Sequence, residues 1–239
     1  MAKKNHFILI DTETTQDSLV ADFGAAICDS KGQVISQCGV LTDKIFNDTE
    51  NHPLFFTSDS DGIWSKKGQD RRYAMYQRMM ESGSRMLASV AAINRWLDKA
   101  KAQFDPILTA YNLPFDVDKC KKTGIDLTMF DRRFCLWDAA YTQWAFTKQY
   151  RQMVLSTHAF NAPTDHGNMT FKTNAETMAR FCLNNPGLQD EPHTALEDVI
   201  EYELPILVQL LKRRSAKWLL SDTQRYSWRE CQVNKWFKA

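Results

Sequence analysis

The chain has 239 residues, 44% hydrophobic and 25% charged, with only 9 glycines and 7 prolines. That composition excludes a disordered, collagenous or low-complexity chain and suits one α/β domain or two small ones. The longest apolar runs, Phe7–Ile10 and Leu204–Leu211, fall short of the about 20 residues that span a bilayer, so no membrane partner is expected. Net charge is +1, yet the sum hides opposites. Residues 61–101 carry nine Lys/Arg against four acids, 212–239 eight against two, and 190–203 six acids with no Lys or Arg. The pattern reads either as ordinary solvated helix faces or as a protein holding cations in one place and phosphates around it.

His6–Asp11 is a buried strand by its apolar, β-rich run. Val20–Asp29 and Gln33–Leu41 read as two more strands, joined by the Asp29–Gly32 turn into a hairpin. Residues 43–70 are polar and read as a long loop or insertion. Arg71–Met80 predicts a helix. Ser84–Lys101 predicts another, with Met86, Leu87, Val90, Ile93 and Leu97 at helical spacing and Ser84 as N-cap. A fourth strand is expected over Asp105–Tyr111. A helix follows from Leu113-Pro114 to Thr123, ended by Gly124. Asp138–Tyr150 is expected to be helical, Arg151–Asn168 irregular, and Thr173–Leu183 helical. The last strong helix spans Thr194–Arg213, with Pro205 predicting a kink or break. The order fits a mixed sheet with helices on its faces. One domain is assigned over 1–213, with an insertion at about 43–90; residues 214–239 form a basic, Trp-rich extension. Six scattered cysteines show no CxxC spacing, which suggests a reduced protein without a disulfide framework. The N-terminal residues lead straight into the first strand, so no secretory signal is expected and a cytoplasmic location is.

Three groups of residues have the makings of chemistry. Asp11 and Glu13 end the first strand, where residues two apart share a face about 6.6–6.8 Å from Cα to Cα. Both carboxylates can converge on one small cation, and hard oxygen ligands favour Mg²⁺ or Mn²⁺ over zinc. Taken alone, the pair reads more simply as a solvated strand end followed by a turn. Asp116 lies in the first turn of the helix after the fourth strand, where the helix dipole alone would favour an acid. His193 and Asp198 lie five residues apart, about 140° around a continuous helix. They cannot share a target unless Pro192 leaves His193 ahead of the helix, free to swing over the site that Asp198 faces.

The three groups recur in one order that resembles a known family. Asp11-Thr12-Glu13-Thr14, Asn112-Leu-Pro-Phe-Asp116 and His193-Thr-Ala195-Leu-Glu-Asp198 are similar to the motifs of the DEDDh 3′→5′ exonucleases. That family lies in the DnaQ-like (RNase H-like) superfamily. Its members include proofreading exonuclease subunits, ribonuclease T, oligoribonuclease and phage exonucleases. Asp22-Phe-Gly24-Ala-Ala, Leu136-Trp-Asp138-Ala-Ala and Asn174–Phe181 also resemble the family's intervening segments. Gln16 stands where glycine is common, Tyr111 where histidine often precedes the asparagine, and residues 43–90 exceed minimal members.

The resemblance implies an RNase H-like mixed sheet flanked by helices. It also implies two divalent ions, Mg²⁺ or Mn²⁺, caged by Asp11, Glu13, Asp116 and Asp198, with Asp11 the bridge and His193 the general base. The expected reaction is hydrolysis of single-stranded DNA from its 3′ end to nucleoside 5′-monophosphates. The alternatives are a 3′→5′ exoribonuclease and a catalytically silent nucleic-acid-binding module. The cytoplasm would be the host's if the chain is phage-encoded. Candidate substrate contacts are Thr12, Thr14, Phe23, Asn112, Phe115, Trp64 and Arg71, with core packing the competing reading for Phe23 and Phe115. Aromatic and basic residues that suit a single strand recur in the insertion (Phe55, Phe56, Trp64, Lys66, Lys67, Arg71, Arg72). They recur again in the tail (Trp218, Arg225, Tyr226, Trp228, Arg229, Lys235, Trp236). The tail is expected to touch substrate or to pack on the domain or a second subunit, and a homodimer is admitted.

Overall fold

A computed structural model describes residues 5–57, 61–163, 167, 169–221 and 230–233. Strands β1 (His6–Thr14), β2 (Val20–Asp29) and β3 (Val34–Thr42) form an antiparallel meander, with Asp11 opposite Gly24 and Glu13 opposite Asp22. Helix α1 (Lys66–Glu81) precedes a short strand, β4 (Met86–Ala88), parallel to β3. After α2 (Val90–Phe104), strand β5 (Ile107–Ala110) pairs parallel to β1. Helix α3 (Leu113–Thr123) then leads to β6 (Arg133–Cys135), parallel to β5. The six strands lie in the order β4-β3-β2-β1-β5-β6. Helices α4 (Leu136–Trp144), α5 (Lys148–Thr157), α6 (Ala175–Cys182), α7 (Ala195–Asp198), α8 (Leu204–Leu211) and α9 (Ala216–Ser221) follow among the described residues.

Alternation along β1 builds the core on both sheet faces. Phe7 and Leu9 pack with residues of α4, α6 and α8, whereas Ile8 and Ile10 pack with residues of α2 and α3. A satellite cluster of Ala21, Leu41, Phe46, Leu54 and Tyr76 seats α1 of the insertion against the sheet. In the expected extension, Leu219 and Cys231 are fully buried in the α4/α6/α8 cluster. Arg225, Tyr226, Trp228, Arg229, Lys235 and Trp236 lie outside the described residues. Among the described residues no helix is long and apolar enough to cross a membrane.

Several elements depart from the sequence reading. The helix expected from Ser84 is an edge strand followed by α2, capped by Ser89, whose side chain accepts from the Ala92 N–H. Met86 and Leu87 are therefore exposed on the sheet edge instead of starting a buried helix face. The expected 138–150 helix is two helices. Thr147 caps the second by accepting from the Tyr150 N–H, which extends helix into the stretch expected to be irregular. Helix α1 starts earlier than expected, at Lys66 behind the Ser65 cap. The three-residue β6 carried no periodic signal. The chain stays helical through Pro205, but the α-helix is interrupted just before it. A turn of π-helix, Val199–Glu203, joins α7 to α8, and the Leu204 N–H donates to the Val199 carbonyl. The wider turn accommodates a proline that has no N–H to give.

Candidate active site

The site lies at the end of β1. Asp11 and Glu13 continue the face that Phe7 and Leu9 begin, so the alternation that buries the core aims both acids at one place. Asp116 arrives from the opposite face. Two residues past β5, Asn112 with its left-handed backbone (φ 74°) turns the chain into α3, and Asp116 falls in the first helical turn. The Thr12 hydroxyl, on the even face of β1, donates to Asp116 Oδ1 at 2.8 Å. Thr12 thus ties α3 to β1 and is itself largely buried.

His193 and Asp198 come from the far end of the chain. His193 adopts a left-handed backbone (φ 56°) two residues ahead of α7, so it is not bound by helical phase. Its Nδ1 lies 3.8 Å from Glu13 Oε1. Glu13, His193 and Asp198 each offer one ligating atom, and the three atoms lie within 4.8 Å of one another. The resolution foreseen for the 140° problem, a histidine ahead of its helix, is the one the chain adopts.

Two devices seat α7. The first is absence of bulk: Gly24 on β2 and its neighbour Gly39 on β3 face α7, and a Cβ on Gly24 would lie 2.3 Å from the Ala195 carbonyl carbon. The second is a buried charge cluster. Asp22 accepts from the Ala195 N–H at 2.9 Å and from Arg85 Nε at 3.1 Å, while Arg85 Nη1 and Nη2 both engage Glu197. Asp22 and Arg85 side chains are fully buried, so the pairing is shielded from water. The Tyr76 hydroxyl of the insertion adds a contact to the His193 carbonyl at 3.4 Å.

The electrostatics follow from burying like charges together. Burial pushes Asp11 up to about 7, with the Asp22 charge adding and the Thr12 backbone opposing. Asp198 rises to about 10, through burial first and then the Asp11, Glu191 and Glu13 charges. Glu13 and Asp116 rise well above the usual range, by burial and then by the Asp11 charge. His193 is lowered to about 4, by burial and then by the Arg72 guanidinium. The imidazole is neutral at physiological pH. Asp198 Oδ1 is buried with no hydrogen-bond partner. Clustered acids with an orphaned oxygen fit a divalent cation, which would reverse the repulsion that burial creates.

Two cavities meet at the acids and share Asp11, Glu13, Tyr111 and His193. One, of about 530 Å³, is also lined by Thr12, Thr14, Phe55, Trp64, Phe115 and Lys119. The other, of about 360 Å³, adds Asn112, Trp137, Asn161, Asn174, Glu191 and Glu203. Of the expected substrate contacts, Thr12, Thr14, Trp64 and Phe115 line the larger cavity and Asn112 the smaller. The Trp64 ring lies 4.6 Å from the His193 ring, and Phe115 is 41% exposed with Lys119 over its face.

One expected contact is corrected, and another lies outside both cavities. Phe23 is fully buried in the α2/α3 cluster, because it pairs with Thr12 and shares that residue's face, opposite Asp11 and Glu13. Arg71 is exposed, donates to the Gly62 carbonyl and lines neither cavity. Its neighbour Arg72, one helical step around α1, turns inward over the Trp64 ring at 4.7 Å. The sequence reading named Arg72 only as part of the basic insertion. It missed Arg85, Glu191 and Glu203, whose only sequence signal was their membership of charged stretches.

No family model and no curated protein matches this sequence. Among solved structures, one similar chain is exonuclease I in complex with the inhibitor BCBP, at 14% identity and TM-score 0.48. It aligns over 90% of this chain and 43% of its own. Another is E. coli exonuclease I in complex with an oligonucleotide, at 15% identity and TM-score 0.44, over 90% and 42%. The chain thus spans less than half the length of each. The architecture is a mixed α/β one, a six-stranded sheet of parallel and antiparallel pairs with helices packed on both faces.

Proposed function

We propose that the chain is a divalent-metal-dependent 3′→5′ exonuclease on single-stranded nucleic acid, DNA by preference, releasing nucleoside 5′-monophosphates. One observation carries the reading: acids from three distant parts of the sequence, Asp11/Glu13, Asp116 and Asp198, gather with His193 around two joined cavities. That gathering is the one the ordered motifs imply. Asp11, Glu13, Asp116 and Asp198 would hold the cations, which supply Lewis-acid polarisation of a phosphodiester and of water.

The chain's own residues supply the rest. His193, neutral and 23% exposed, is able to take a proton at a ring nitrogen. Phe55, Trp64 and Phe115 offer faces on which unstacked bases rest, with Lys119 beside them for a phosphate. Arg72 backs Trp64 from behind and steadies its ring beside His193. Glycine 24, Asp22 and Arg85 hold α7, and with it Asp198, close to β1.

The test is digestion of 3′- and 5′-labelled DNA and RNA oligomers with Mg²⁺, Mn²⁺ or EDTA. Mononucleotides released from the 3′ end, abolished by EDTA and faster on DNA, are expected. Shortening from the 5′ end, EDTA-resistant cleavage, or binding without cleavage would overturn the reading; faster RNA digestion would replace its substrate.

A further inference from the structure

The four acids of the motifs do not exhaust the carboxylates of the site. Glu203 lies on the floor of the smaller cavity together with Asp11, Glu13, Glu191 and Asp198. It is 3% exposed. Its Oε1 accepts the Tyr111 N–H at 3.2 Å, but its Oε2 is buried without a hydrogen-bond partner. Asp198 Oδ1, lining the same cavity, is orphaned in the same way. An unpaired buried carboxylate oxygen is costly unless a cation meets it.

The backbone explains how Glu203 gets there. In an unbroken α-helix it would point about 140° away from Asp198. The chain runs instead through the π-turn Val199–Glu203, where closure over five residues brings side chains five apart onto one side. Asp198 and Glu203 are such a pair, and both line the cavity. Such turns are rare and are frequently found at functional sites.

We infer that Glu203 is a fifth acidic cation ligand, adding to the quartet of Asp11, Glu13, Asp116 and Asp198. The inference rests on the proposed metal-dependent reading of the same site and adds one residue to it. Glu203 serves two elements at once. Oε1 anchors the Tyr111–Asn112 junction from which α3 carries Asp116, and Oε2 faces the cation.

The experiment is Mn²⁺ titration of the full chain without nucleotide, by calorimetry and by the electron paramagnetic resonance of free Mn²⁺. Glu203→Gln keeps an acceptor for the Tyr111 N–H and removes the charge. It is expected to lose at least about tenfold in Mn²⁺ affinity, or one bound equivalent, with an unchanged circular dichroism spectrum. Glu203→Asp keeps the charge but withdraws it by one methylene, and its affinity is expected between the two. Asp118→Asn, an exposed acid of α3 paired with Lys119, is expected to bind as the wild type does. Wild-type affinity and stoichiometry in both Glu203 variants would overturn the inference while leaving the metal-dependent reading intact. A wild-type chain that binds no Mn²⁺ would overturn both. Mn²⁺ binding that depends on Glu203 in a chain without nuclease activity would support the inference and sink the proposed reaction.

Discussion

Gly24 sits at the point where the two halves of the site are pressed together. It pairs with Asp11 on the neighbouring strand, and α7 crosses directly above it. A Cβ added there would lie 2.3 Å from the Ala195 carbonyl carbon and 2.4 Å from both its oxygen and the Leu196 nitrogen, where ordinary contact starts at 3.4 Å. The obstacle is backbone and cannot rotate away, so Gly24→Ala must lift the start of α7 by about 1 Å, or shift β2 by as much. The overpacking costs about 1–3 kcal/mol of stability. The same displacement carries Asp198 and His193 away from Asp11 and Glu13. A shift of this size in a catalytic constellation is worth about 10² in rate. We expect Gly24→Ala to fold with a reduced melting temperature, to bind Mn²⁺ more weakly, and to lose about that factor in kcat on a 3′-labelled oligomer. Gly62→Ala is the control, because nothing lies within 4 Å of its added Cβ. A Gly24→Ala chain with wild-type kcat and Mn²⁺ affinity would refute the claim that this close approach positions the acids.

Removing Arg85 strands two acids, one of them wholly buried. Arg85→Met should lower the urea-derived stability by about 3–5 kcal/mol, and adding Asp22→Asn should restore part of it. An unchanged midpoint would show that the cluster does not hold α7. His193→Ala should slow hydrolysis by about 10²–10⁴ while Mn²⁺ still binds; equal activity would exclude it as the base. Stability of the metal-free protein should fall as pH rises. Asp11 goes from 3.8 unfolded to about 7 folded and Glu191 from 4.5 to about 8, so the native state holds extra protons across that window and loses stability through it. Each such proton contributes a slope of about 1.4 kcal/mol per pH unit, and saturating Mn²⁺ should flatten it. A metal-free midpoint that is constant from pH 4 to 8 would contradict the crowding of charge.

How far the sequence discloses this arrangement depends on the range of each interaction. Asp11 and Glu13 are legible because strand alternation is local: two residues apart means one face, whatever the rest of the fold does. His193 is legible for a similar reason, since Pro192 disfavours helix at Glu191 and so marks the stretch as a helix entry. Phe23 is not. Its side of the sheet is fixed only by pairing with Thr12, a contact that the sequence of β2 alone does not specify. Arg71 and Arg72 differ by a helical step of 100°, and the insertion carries too weak a periodicity to choose between them. Met86 and Leu87 fit helical spacing with Val90 and Ile93 and still enter a strand, because β3 offers an unpaired edge that rewards three residues of pairing. The π-turn lies furthest from view. Helical phase counted at 3.6 residues per turn sends Glu203 away from Asp198, and only the widened turn before Pro205 reverses that. The motifs thus mark residues whose geometry is set within a few positions of themselves. The groups that hold those residues in place, Gly24 under α7, Arg85 between Asp22 and Glu197, and Glu203 on its widened turn, act across the fold and become visible only when it closes.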